Sequence, residues 1–151
     1  MTKGHILIRL SESDHVQFGK KKFELQSFPQ KVFSAVWSVE SEVNNGGFWQ
    51  YFVNDSAETT SFVVEALRTV GAAQTADICQ RALAAAFPEG VPGSTEEIRV
   101  GANSLSASAL ERLDELNQEF FSYPNNLNDL LFAYVLKYPE EFGKLPQIDE
   151  A

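Results

Sequence analysis

From Pro29 to Val135 the apolar residues of this chain recur at spacings of one, three and four, and Gly, Pro and Asn punctuate them at intervals. That is the period of helices with one buried face, and it leaves a bundle of amphipathic helices as the fold that covers every stripe. Val32, Phe33, Val36, Val39 and Val43 form the first stripe, with Pro29 suited to a first helical position. Asn44-Asn45-Gly46-Gly47 reads as its stop, because Asn and Gly tolerate the left-handed conformation of a helix end. Asp55-Ser56-Ala57-Glu58 reads as a capping box for a helix carrying Phe62, Val63, Ala66, Leu67 and Val70, closed by Gly71. Cys79, Ala82, Leu83 and Ala86 mark the next helix, over 73–87. Pro88 to Gly93 is a loop, and Ser94 or Thr95 caps a further helical stretch. Residues 106–121 form a helix with Leu110, Leu113, Asn117 and Phe120 on one face. Beyond Pro124, the residues Leu127, Leu130, Leu131, Tyr134 and Val135 give the last full helix.

The expectation is an all-α fold, a single compact domain of about five to seven helices. Residues 1–30 are an N-terminal segment packed on the helical domain of 31–151. Within that segment His5 to Leu10 reads as a short strand or irregular stretch, and Lys20-Lys21-Lys22 as a solvated turn or helix start. A two-stranded hairpin alone is marginal, so any strand here must lean on the helices.

A chain of 151 residues with 44% hydrophobic content and twelve Phe has ample material for one core. Its single cysteine, Cys79, excludes an internal disulfide and fits a reducing compartment. The N-terminal apolar run Ile6-Leu7-Ile8 is broken by Arg9, unlike a signal peptide. Nothing approaches the roughly 20 apolar residues of a membrane span, so a cytoplasmic protein without membrane contact is expected. Charge is unevenly placed. Residues 1–31 hold six Lys/Arg and three Asp/Glu, a net of +3, whereas 32–151 hold six and eighteen, a net of −12. So acidic a body repels nucleic acid, whose binding rests on cations against phosphates, and attracts basic protein surfaces. The plainer reading of acidity is solubility.

Catalytic patterns are missing. His5 and His15 have no partner motif, and one Cys with two His cannot supply the usual zinc sets. Neither phosphate-binding glycine motif occurs. Cys79 lies on the apolar side of its helix, where an inert core thiol is expected rather than a nucleophile. No enzyme, metal or cofactor is expected.

The most specific string runs from Glu42 to Asn54: Glu42-Val43-Asn44-Asn45-Gly46-Gly47-Phe48-Trp49-Gln50-Tyr51-Phe52-Val53-Asn54. It reads as a helix stop, a tight turn and a buried aromatic plug. Asn44, Asn45, Gln50 and Asn54 are suited to satisfy the turn's backbone groups. Glu40 lies beside the valine stripe, where an unpaired carboxylate is costly, and is expected to bond to the same turn.

Asn-Asn-Gly-Gly-Phe-x-Gln-Tyr-Phe-x-Asn resembles the signature of a bacterial DNA-mimic-protein (DMP-like) helical family, first catalogued as a domain of unknown function. Ala66 to Ala72 with Thr75-Ala76 resembles its second block, and Leu113-Asp114, Phe120, Leu130-Leu131 and Tyr134 its C-terminal helices. The resemblance covers about 32–142. It implies an all-α fold and a role like that of one member, an acidic protein that occupies the DNA-binding surface of a transcription factor.

The sequence offers a surface for such a role. Carboxylates four residues apart on a helix stand about 6 Å from one another, near the spacing of adjacent phosphates along a strand. Glu111, Glu115 and Glu119 form such a row opposite the Leu113 face, flanked by Asp114 and partly spoiled by Arg112. Glu58 and Glu65 make a sparser pair near Arg68. The leading expectation is a non-enzymatic binding protein whose partner is a basic DNA-binding protein, with homodimerisation left open. The alternatives are an immunity-type inhibitor of a nuclease toxin, and a small enzymatic or ligand-binding module using the Asn44–Asn54 region.

Overall fold

A computed structural model describes residues 2–11 and 22–143, and all secondary structure among them is helical. Eight α-helices follow in order: α1 Lys3–Ser11, α2 Phe28–Val53, α3 Val63–Thr69, α4 Ala73–Ala86, α5 Thr95–Ala102, α6 Ala107–Phe121, α7 Leu127–Leu136 and α8 Pro139–Phe142. Short 3-10 turns cover Phe23–Leu25 and Asp55–Thr59. The all-α expectation holds, and among the described residues no helix is long and apolar enough to cross a membrane. His15, Lys20 and Lys21 lie outside the described residues.

α2 is the axis of the domain. It touches α3, α5, α6, α7, α8 and both 3-10 turns, while α4 packs on α3 and α6. Its start is fixed by a complete capping box: Ser27 Oγ accepts from the Gln30 N–H, and Gln30 Oε1 accepts from the Ser27 N–H at 3.0 Å. Ser27 Oγ also donates to Glu141 Oε2 at 2.8 Å, tying α8 to the same point. Val32, Val36, Val39 and Val43 are all buried, as the periodicity requires. Ser94, Ser106 and Asn126 cap α5, α6 and α7 with their side-chain oxygens.

Four local expectations are corrected. His5 to Leu10 is helix, not strand. Ile6, Leu7 and Leu10 are buried, whereas Ile8, which a strand would place beside Ile6 and Leu10, is 42% exposed. The apolar spacing is therefore one and four, and α1 lays that stripe on α7. The Asn44–Gly47 stop is a kink rather than an end, since α2 resumes through the aromatic segment to Val53. Asp55–Glu58 opens a 3-10 turn, and α3 begins only at Val63, because the Asp55 side chain caps nothing and stands in solvent. Leu110 is 42% exposed, so the core face of α6 is Leu113, Leu116 and Phe120.

The burial of α1 can be tested. Leu7 is fully enclosed, so Leu7→Ala should lower unfolding free energy by about 2–5 kcal/mol in urea titration, through lost burial and the cavity left behind. A change within error would mean that α1 is not part of the cooperative core.

Candidate functional site

The Glu42–Asn54 motif is built around two residues that leave helical geometry, Gly46 (φ −156°, ψ 15°) and Gly47 (φ 79°, ψ −179°). Gly47 occupies the left-handed half of backbone space, and a Cβ there would stand 2.6 Å from Asn117 Nδ2 on α6. Gly46 is required for a different reason: a Cβ would fall 1.8 Å from Gln50 Oε1. Immediately beyond the break, the Phe48 N–H donates to Asn117 Oδ1 at 2.9 Å. Gln50 Nε2 and Asn54 Nδ2 both donate to Glu42 Oε2, at 2.8 and 3.0 Å, so one carboxylate spans the kink. Asn45 is exposed, and so is Asn44. The turn's backbone support thus comes from α6, while the motif's own amides of Gln50 and Asn54 serve Glu42.

Resumed helix drives the aromatic plug inward. Phe48 meets Phe120 edge-on at 5.8 Å, Phe52 meets Phe87 at 5.3 Å, and the Tyr51 hydroxyl pairs with Thr59 Oγ1 at 2.5 Å. Trp49 remains 43% exposed. Glu40 does not reach this turn. Its carboxylate accepts from the hydroxyl of Tyr123, just past the end of α6. Burial raises the Glu40 pKa above the usual carboxylate range, with the Tyr123 hydrogen bond opposing it. Burial, and then the Glu40 carboxylate, push the Tyr123 phenol up as well. Tyr123 is the only described residue other than glycine with positive φ, at 56°.

The row on α6 is present and exposed, but its charges differ in freedom. Glu119 receives Arg81 Nη1 and Nη2, each at 2.9 Å, while Arg81 Nε donates to Asp77 at 2.9 Å. This fork joins α4 to α6 and holds the Glu119 pKa below the usual range. Glu115 pairs with Arg112 on its own helix at 2.8 Å. Glu111 and Asp114 have no ion pair among the described residues.

Glu58 and Glu65 lie on separate elements, the 3-10 turn and α3, not on one helix. Glu58 instead borders an open depression of about 550 Å³ with Lys22, Phe23, Glu24, Asp55 and Thr95. Burial first, then Asp55 and Glu24, raise its pKa. Arg99 approaches Asp55 at 3.8 Å. Cys79 is fully buried, which pushes its thiol up and makes thiolate chemistry unfavourable. Among the described residues no three His, Cys, Asp or Glu side chains group to hold a metal ion.

Asn117, Tyr123 and Arg81 were not singled out as site residues by the sequence. An amide on an otherwise apolar helix face was the available signal for Asn117. Arg81 and Tyr123 act across the fold, on partners 38 and 83 residues away.

Two outcomes follow from this geometry. Gly47→Ala should cost about 1–3 kcal/mol of stability from backbone strain alone, and Asn117→Ala about 1–3 kcal/mol by leaving the Phe48 N–H unpaired; urea titration reads both, and two unchanged midpoints would remove the kink from the core. For Glu40 the folded pKa is raised, so the folded state binds more protons and stability falls as pH rises through that raised pKa. Glu40→Gln should therefore be at least as stable as the native chain at neutral pH. The difference should vanish below the ordinary Glu pKa, read as melting temperature against pH.

Comparison with protein families matches residues 24–138 to the DMP19-like protein family. No curated protein matches the chain. No solved structure matches it either. The family match begins at the first 3-10 turn and runs to the end of α7, so it takes in the kink, the aromatic plug and the acidic row. The chain belongs to the DMP19-like protein family.

Proposed function

We propose that this protein works without catalysis, as an acidic binding protein that occupies the basic DNA-binding surface of a partner protein. The observation that carries this reading is the exposed carboxylate strip of α6. Its core side is fastened by Leu113, Leu116, Phe120 and Asn117, so the opposite side is presented on a rigid helix. Glu111 and Asp114 have no ion pair there among the described residues, and the exposed Glu115–Arg112 pair is of the kind worth only about 0–1 kcal/mol. A cationic partner can displace Arg112 at little cost. Around this strip Asp77, Glu111, Asp114, Glu115 and Glu119 face Arg81 and Arg112, leaving a net charge of −3. Resemblance to a family that includes a DNA mimic supports the same reading.

The partner-facing set is narrower than the whole row. Glu119 is already held by two hydrogen bonds that link α4 to α6, so it serves the fold. Glu111, Asp114 and Glu115 are the residues of the strip left for a partner, with Glu58 and Glu65 on other exposed surfaces.

Release of DNA-binding proteins tests this. Proteins from the source cell are loaded on a duplex-DNA column, and the native chain is applied at low and at high ionic strength. Specific release at low salt is expected, weakening as salt rises. Glu111→Gln with Asp114→Asn should reduce it while leaving the fold intact, because exposed carboxylates contribute little to stability. No release at low salt, or equal release by the variant, would sink the proposal for this helix.

A further inference from the structure

A pocket of about 210 Å³ opens between the end of α3 and the face of α7, lined by Thr69, Val70, Leu130, Ala133, Tyr134, Lys137 and Tyr138. Its walls are mixed: Val70, Leu130, Ala133 and the two rings supply apolar surface, and Thr69, Lys137 and the tyrosine hydroxyls supply about as much polar surface. Tyr134 is only 5% exposed, and its hydroxyl is shut off from solvent, with the Tyr138 hydroxyl nearby but no hydrogen bond of good geometry among the described residues. The Tyr138 ring stands edge-on to it, 4.9 Å between centroids, and is itself half-buried. A buried phenol lacking an acceptor is unfavourable, so the position is primed for one. Lys137, with no ion pair among the described residues, adds a second donor at the rim. Both α3 and α7 end here, with C-caps at Val70 and Lys137. The negative ends of two helices offset that ammonium, which disfavours a free anion.

We propose that this pocket binds a small, uncharged ring compound bearing a carbonyl group, with Tyr138 turning aside and the carbonyl oxygen accepting from the Tyr134 hydroxyl. The volume equals roughly seven waters, enough for one ring with a single substituent. This site is separate in chemistry from the acidic strip, since it offers donors and apolar walls rather than carboxylates. It does not depend on the partner-binding proposal.

Benzamide is the probe, with benzoate and toluene as comparisons, in amide-resolved NMR titrations of the full chain. Benzamide should saturate at millimolar concentration and shift the amides of residues 69–70 and 130–138, with benzoate and toluene weaker. Tyr134→Phe should weaken benzamide by about tenfold, the size of one lost hydrogen bond, while the unliganded melting temperature does not fall. Ala133 is exposed at the pocket wall, so Ala133→Leu should fill the space and abolish the shifts without disturbing the core. The proposal is overturned if benzamide gives no saturable shifts, or if either variant binds it as well as the native chain. Tighter binding of benzoate or toluene than of benzamide would overturn it too.

Discussion

One hydrogen bond, from the Phe48 N–H to Asn117 Oδ1, joins the break in α2 to α6 and sets how the two longest helices lie together. It depends on Gly47, because a side chain at that backbone conformation would be strained and would collide with the same asparagine. Just past the end of α6, Tyr123 meets Glu40. Advancing along the chain from 117 to 123, just past α6, thus corresponds to retreating from 48 to 40 on α2, so the helices run antiparallel. The register places Phe120 edge-on against Phe48 and turns Glu111 and Glu115 outward. The surface charge pattern is therefore a consequence of what the kink secures inside.

Most of the helical architecture was legible from periodicity, because the valine stripe of α2 and the leucine and alanine stripes of later helices report burial directly. The errors share a cause. Asn44 to Gly47 carries the residues of a helix end, but whether a chain ends or bends there depends on an acceptor for the freed amide, and that acceptor is 69 residues away. Ile6, Ile8 and Leu10 satisfied alternation as well as Ile6, Leu7 and Leu10 satisfied a helix, and contact with α7 decided between them. Asp55 and Glu58 carried the letters of a capping box without making its bonds. The acidic row was legible as a row, since i and i+4 lie on one face of any helix. Its division into free and paired members was not, because Arg81 belongs to α4.

That division bears on how one helix can serve both fold and surface. The inward side of α6 is apolar apart from Asn117, whose amide is consumed by the kink. One flank is clasped by Arg81, whose fork takes both oxygens of Glu119 and reaches Asp77 as well. Losing Glu119 would therefore leave a guanidinium facing Asp77 alone and loosen α4 from α6, whereas losing Glu111 disturbs no described contact. A carboxylate already committed to two charge-assisted bonds is a poor stand-in for a phosphate, because a partner must first break them. The phosphate-like character of α6 consequently grows away from Glu119, toward Glu111 and Asp114, which have no ion pair among the described residues.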